Sequence, residues 1–265
     1  MTLRACILAA LIAGVVCPPS VHVAEAKTAT SKKKTKKTAK AKKSKKKSKK
    51  KKKEISRKPS KSSLRNTKNM PRGYAWPPTS QMIAAEKACR AKLDELGVAY
   101  KSAKREGRMV DALTLVPIEG EPAGTMSLGG VTYRSKYRNG AQKLDCQLVL
   151  ALHELGPALY EVGVREVTYG SIYRWTNVRV NGQTKNVLSR HALGIAMDIY
   201  AMTDDQGQVS TVHTDYTPEG SFLRAVEQAV NASGKFRKLL TPENDPKSHY
   251  DHFHIEAFVD YTASS

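Results

Sequence analysis

Apolar residues recur at helical spacing in three stretches of the chain. In the first, Thr79 or Ser80 is positioned as a cap, Ile83, Cys89, Leu93 and Leu96 mark one face, and Gly97 follows as a stop. In the second, over residues 145–161, Asp145 is the cap and Leu148, Leu152, Leu155 and Leu159 form the apolar face. Pro157 is expected to kink that helix or end it early. The third runs from Pro218 to Asn231, with Phe222, Val226 and Val230 on one side. Between the helices lie short runs of strand character: Val164–Tyr169, Asn177–Val180 before the hairpin signal Asn181-Gly182, Ile195–Met202, Val209–Val212 and His252–Phe258. Residues 109–133 read as short strands and turns, and Asn139-Gly140 as a further turn. Such a mixture predicts an α+β fold, with a small mixed or antiparallel sheet flanked by helices.

The periodic pattern is confined to residues 73–265. Upstream, residues 5–17 are almost entirely apolar, Arg4 precedes them, and Ala24-Glu25-Ala26 fits a small-x-small cleavage site. This is the pattern of a secretory signal peptide over residues 1–26, cleaved after Ala26. A bilayer-spanning helix needs about 20 apolar residues, which this run does not reach. The expected location is therefore periplasmic or extracellular, at the cell envelope, with no transmembrane helix in the mature chain. Residues 27–72 are mostly Lys, Ser, Thr and Ala, so little apolar surface offsets the entropy of ordering. They are expected to form a disordered, Lys-rich tail.

Charge sharpens this division. The formal net charge is +21, but residues 27–72 hold 23 Lys and Arg against the single acid Glu54, and residues 73–265 net −1. A uniformly basic protein is excluded. The tail is suited to a polyanion such as an anionic envelope polymer or a membrane surface, in a salt-dependent manner, or to a solvated spacer. It lacks interleaved aromatic residues, and export removes it from the cytoplasm, so no specific nucleic-acid partner is expected. Cleavage after Ala26 leaves two cysteines, Cys89 and Cys146, an even pair that in an exported protein is a candidate disulfide joining the first two helices.

The candidate chemistry lies near the C-terminus. His191 and Asp198 stand in an H-x6-D spacing, and His252 and His254 in an H-x-H spacing. Along a strand, residues two apart share a face. His252 and His254 therefore point one way, and Asp198 lies opposite the aliphatic side formed by Ile195, Met197 and Ile199. Two imidazoles and a carboxylate make a zinc-ligand set that leaves a fourth position for water. Zinc there would lower the pKa of that water toward about 7. His153 and His213 stand alone and read as ordinary histidines.

Taken together, Ser189-Arg190-His191-Ala192-Leu193-Gly194-Ile195-Ala196-Met197-Asp198 and Asp251-His252-Phe253-His254 resemble the SxHxxGxAxD…HxH signature of the LAS zinc peptidases. These are D-Ala-D-Ala carboxypeptidases and murein endopeptidases. From Cys89 to Glu256 the chain more closely resembles the extensin-like C-terminal domain family of exported bacterial proteins, including Tyr169-Gly170-Ser171-Ile172-Tyr173-Arg174 and Phe222-Leu223-Arg224. The resemblance implies a LAS/hedgehog-like fold and one Zn2+ held by His191, Asp198 and His254. It implies His252 as catalytic base, with Asp251 as the alternative, and Arg174 steadying a substrate carboxylate or oxyanion. Ser189 would hold the His191 loop and His249 would line the cleft. The implied reaction is hydrolysis of amide bonds in peptidoglycan peptides. The rival expectation is a non-catalytic envelope protein that binds peptidoglycan through the cationic tail and a zinc-stabilised cleft.

Overall fold

The computed structural model describes residues 56–137, 140–219 and 221–263. The expected leader, most of the Lys-rich tail and Asn139 of the expected turn lie outside the described residues. In chain order the elements are α1 (Lys61–Arg65), α2 (Ser80–Glu95), β1 (Tyr100–Ser102), β2 (Ala112–Leu115), β3 (Met126–Leu128), β4 (Val131–Ser135), β5 (Leu144–Asp145), α3 (Cys146–Glu161) and β6 (Val164–Tyr169). They continue with β7 (Asn177–Val180), β8 (Gln183–Leu188), a 3-10 turn (Arg190–Leu193), β9 (Ala196–Asp204), β10 (Val209–Thr211), α4 (Val212–Asp215), α5 (Phe222–Ala232), β11 (Phe236–Leu240) and β12 (Phe253–Ala257).

The fold is mixed α+β. The main sheet runs β11-β12-β9-β6-β4-β3, with β10 also paired to β9. Among the described strands only β4 and β6 pair in parallel, with α3 between them in the chain. A second sheet runs β1-β2-β5, and β7 and β8 form a separate hairpin through Asn181 and Gly182, both at positive φ. The buried faces of α3 and α5 supply Leu148, Leu152, Leu155, Leu223, Val226 and Val230, which join the sheet residues Val167, Met197 and Ile255 in one apolar core. Among the described residues no helix is long and apolar enough to cross a membrane.

Several expectations shift in detail. Helix α2 buries Met82, Glu86, Cys89 and Leu93, whereas Ile83 is exposed and Leu96 caps the helix half-exposed. The i, i+4, i+7, i+11 series from Met82 faces the core, and that series carries a carboxylate that obscures it in a hydropathy pattern. Helix α5 begins at Phe222 rather than Pro218, and its buried face starts at Leu223. Pro157 does not end α3, which continues to Glu161. It removes one rung, because it has no N–H to offer the carbonyl of His153. That carbonyl lies against Gly129, and Gly156 meets the same glycine backbone so closely that a Cβ on either would collide. The helix therefore packs through bare backbone where the rung is missing. His153 itself accepts a hydrogen bond from the Gly129 amide.

The largest correction concerns the tail. Residues 56–72 form a strap on the domain. Asn66 Nδ2 donates to the Asn186 carbonyl and Asn69 Nδ2 to that of Leu188. Ser60 and Ser63 cap α1 reciprocally, and Leu64 and Met70 pack on the core. These are mostly backbone and amide hydrogen bonds, which leave no trace in hydropathy. Cys89 and Cys146 form the expected disulfide between α2 and α3.

Candidate metal centre

Strands β9 and β12 run antiparallel with Asp198 directly opposite His254. Alternation puts both side chains on the face away from Met197 and Ile255. His191 reaches the same point from the 3-10 turn. Ser189 caps that turn by accepting from the His191 amide at 3.3 Å. Gly194 ends it at φ 71°, and a Cβ there would meet Met109 Cε at 2.7 Å. Three separate local devices thus deliver three buried side chains to one place.

The free atoms of these residues form a nearly equilateral triangle. His191 Nε2 lies 3.1 Å from Asp198 Oδ1 and 3.1 Å from His254 Nδ1, and His254 Nδ1 lies 3.0 Å from Asp198 Oδ1. The outer nitrogens are committed elsewhere. His191 Nδ1 donates to the Ile172 carbonyl at 2.7 Å, which leaves Nε2 as a lone pair. His254 Nε2 donates to Glu256 Oε1 at 3.2 Å, which turns Nδ1 inward. Metal-binding histidines characteristically donate their second N–H to a carbonyl or carboxylate in this way. Zinc bonds of about 2.0–2.1 Å at tetrahedral angles place ligand atoms roughly 3.3–3.4 Å apart. The triangle fits with an opening of a few tenths of an ångström. Arg174 and Ser171 hold the other oxygen, Asp198 Oδ2, at 2.7 and 2.9 Å.

Electrostatics favours a cation at this point. Burial works to raise the pKa of Asp198, but His191, His254 and Arg174 hold it well below the usual carboxylate range. Burial lowers His191, which favours the neutral ring that a metal requires. Burial also opposes charge on His254, yet its bonds to Asp198 and Glu256 push its pKa up to about 9. Asp198 and Glu256 thus favour a positive charge where the three groups converge, which a divalent ion held there would supply.

His252 stands beside the triangle, just before β12. Its Nδ1 donates to Asp251 Oδ1 at 2.7 Å, and its Nε2 lies 3.6 Å from Asp198 Oδ1. Tyr200 stacks on its ring, and Gly170 leaves the room for Tyr200, since a Cβ there would enter the phenol ring. His249 lies edge-on to His252, 5.0 Å between ring centres, and pairs with Asp245. Burial, followed by the neighbouring His254 and His252, lowers the pKa of His249 to about 4. Asp251 therefore sits behind His252, as its hydrogen-bond partner.

Sequence reasoning missed the support behind His254. Glu256 is buried and holds His254; Arg237 Nε donates to Glu256 Oε2 at 2.7 Å, with Arg190 3.6 Å away. Both arginines also bond Asn69 of the strap, Arg237 at the side-chain oxygen and Arg190 at the backbone carbonyl. The even-numbered face that carries His252 and His254 continues to Glu256, so extending the two-residue period by one step finds it. Nothing in the pattern marks Asn69, Arg190 or Arg237.

Residues 87–263 match the family described as extensin-like protein C-terminus, and that span contains all seven histidine, aspartate and arginine residues expected at the site. The chain belongs to the extensin-like C-terminal family. No curated protein and no solved structure matches the chain. The strap lies upstream of the extensin-like region, so Asn69 is an addition to the site from outside the matched span.

Proposed function

We propose that this extensin-like domain is an exported zinc-dependent peptidase of the LAS type, hydrolysing amide bonds in peptidoglycan peptides. The observation that carries the reading is the triangle of three ligand atoms about 3 Å apart, with both imidazoles oriented by outward hydrogen bonds and a His-Asp pair alongside. His191 through Nε2, Asp198 through Oδ1 and His254 through Nδ1 would hold the ion. Zinc, when bound, supplies a Lewis acid that polarises a carbonyl and makes water a nucleophile near neutral pH.

The chain's own residues do the rest. His252 takes a proton from the attacking water on Nε2 and returns it to the departing amine, the usual two-way role of a general base. Asp251 fixes the ring through Nδ1 and stabilises the imidazolium. Tyr200 restricts the ring to one plane. Arg174, half-exposed at the cleft, offers its remaining guanidinium donors to the developing oxyanion or to a substrate carboxylate. The apolar run at residues 5–17 and the Ala24-x-Ala26 site support export.

Digestion of purified muropeptides by the full chain plus zinc tests the reading. Amide cleavage that disappears in His252→Ala, while zinc is retained, is the expected result. No cleavage by the zinc-loaded chain contradicts it. Sacculus binding that survives His252→Ala and vanishes when residues 27–55 are deleted points instead to an envelope-binding protein.

A further inference from the structure

The cleft in front of the triangle has a volume of about 340 Å³, and its walls include the strap, β7 and β11. Each wall contributes a cation that is not needed by the metal centre: Arg57 from the strap, Arg179 from β7 and Lys238 from β11. Among the described residues none of these three side chains pairs with a carboxylate, unlike Arg174 and Arg237, which are bound to Asp198 and Glu256. Glu256 is the one acidic residue on the lining, and it is already engaged. The domain with its strap, residues 56–265, nets +5, and three of its cations without a carboxylate partner gather around this one cleft.

The strap's part in this is built. The Asn177 amide donates to the Arg57 carbonyl at 2.7 Å, Asn177 Nδ2 donates to the Ser56 carbonyl at 3.0 Å, and Thr176 Oγ1 donates to the Arg57 carbonyl at 3.1 Å. Asn177 is buried. The backbone of Arg57 is thereby pinned to β7, two residues from Arg179, while its guanidinium remains exposed. We propose that Arg57, Arg179 and Lys238 form a carboxylate-binding subsite, and that the cleft takes an acidic peptide. This deepens the peptidase reading and rests on it for the choice of a peptide. Guanidinium forks match carboxylates bidentately, and charge focused in a cleft raises both affinity and encounter rate.

The test uses the full chain and two photo-crosslinking peptides, one with three glutamates and one with glutamines in their place. Crosslinks are mapped by mass spectrometry, so labelling of the Lys-rich segment is separated from labelling of the cleft. The glutamate peptide is expected to label segments 174–180 and 236–254 at least tenfold more than the glutamine peptide. The triple variant Arg57→Ala, Arg179→Ala, Lys238→Ala is expected to lose that excess while retaining its zinc content. Equal labelling by the two peptides, unchanged labelling in the triple variant, or labelling confined to residues 27–55 overturns the proposal. So does displacement of the glutamate peptide from the cleft by polyphosphate but not by unlabelled glutamate peptide. Failure of the peptidase reading is seen separately, as cleft labelling without amide cleavage.

Discussion

Asp145 and Asp198 are equally buried, each 1 % exposed, and their surroundings drive them in opposite directions. Asp145 caps α3 beside the disulfide. Burial raises its pKa, the negative Asp111 adds to the effect, and backbone amides of Val110, Asp111 and Gln147 only partly offset it, leaving a value of about 7. Neighbouring Glu86 is also raised, by burial first and Asp145 second, and accepts a hydrogen bond from Tyr261 at 2.8 Å. Around Asp198 the partners are cationic or proton-sharing, and they overcome a burial penalty of the same kind. Both places gather three potential ligand residues: Glu86, Cys89 and Cys146 in one, His191, Asp198 and His254 in the other. In the first the sulfurs are joined to each other. Ligand identity therefore does not distinguish a metal centre from a structural cluster. The distinction is whether the donor atoms are covalently joined to one another or converge on a point that an ion can take.

That contrast can be broken from either side. The largest effect is expected on turnover, where His252→Ala should lower the rate about 10²–10⁴-fold with zinc content unchanged. Loss of zinc in that variant would move His252 from proton carrier to ligand. Next, Cys89→Ala with Cys146→Ala opens a crosslink of sequence separation 57. This should cost about 4 kcal/mol by the chain-entropy relation, read by chemical denaturation. Bound zinc in the folded fraction should not change; if it falls, the two clusters are not independent. Glu256→Gln removes the charged acceptor behind His254 and should weaken zinc affinity about 10–100-fold. An unchanged affinity would reduce Glu256 to a packing role.

The smallest effect concerns pH. Carboxyls whose pKa is raised by folding contribute stability that is fully present below their unfolded values and is lost as pH rises through the folded ones. For Asp145 that window runs from 3.8 to about 7, and Glu86 adds to the loss above 4.5. The contribution of these two carboxyls should therefore decline from about pH 4 toward neutrality, against an opposite contribution from His249, whose pKa is lowered to about 4, and from zinc binding. Glu86→Gln keeps the shape of the side chain and should flatten the decline. A slope identical to that of the unsubstituted chain would mean that Glu86 ionises in the fold as it does in water.

The sequence carried the strands of the site well and its supports poorly. Period-two alternation was sufficient to place Asp198 and His254 on one face, because β9 and β12 are regular and have an aliphatic reverse side. The Asn181-Gly182 turn was legible for the same local reason, as a dipeptide suited to positive φ. The strap was not. Its attachments are amide and hydroxyl bonds from Asn66, Asn69 and Asn177, and a composition of Lys, Ser and Asn reads as solvated whether or not such bonds exist. Pro157 does not end α3 early because a helix can lose one rung where tertiary packing supplies the energy. Arg190, Arg237 and Asn69 meet at Glu256 from segments far apart in the chain, and only the fold brings them together.

The central claim is that Asp198 is a metal ligand. Metal analysis of the purified full chain and of Asp198→Ala, after equilibration with zinc and removal of the excess, tests it most directly. The account predicts one zinc per chain in the first and none retained in the second, with the domain still folded by circular dichroism. Zinc absent from the unsubstituted chain, or retained equally by Asp198→Ala, would contradict it.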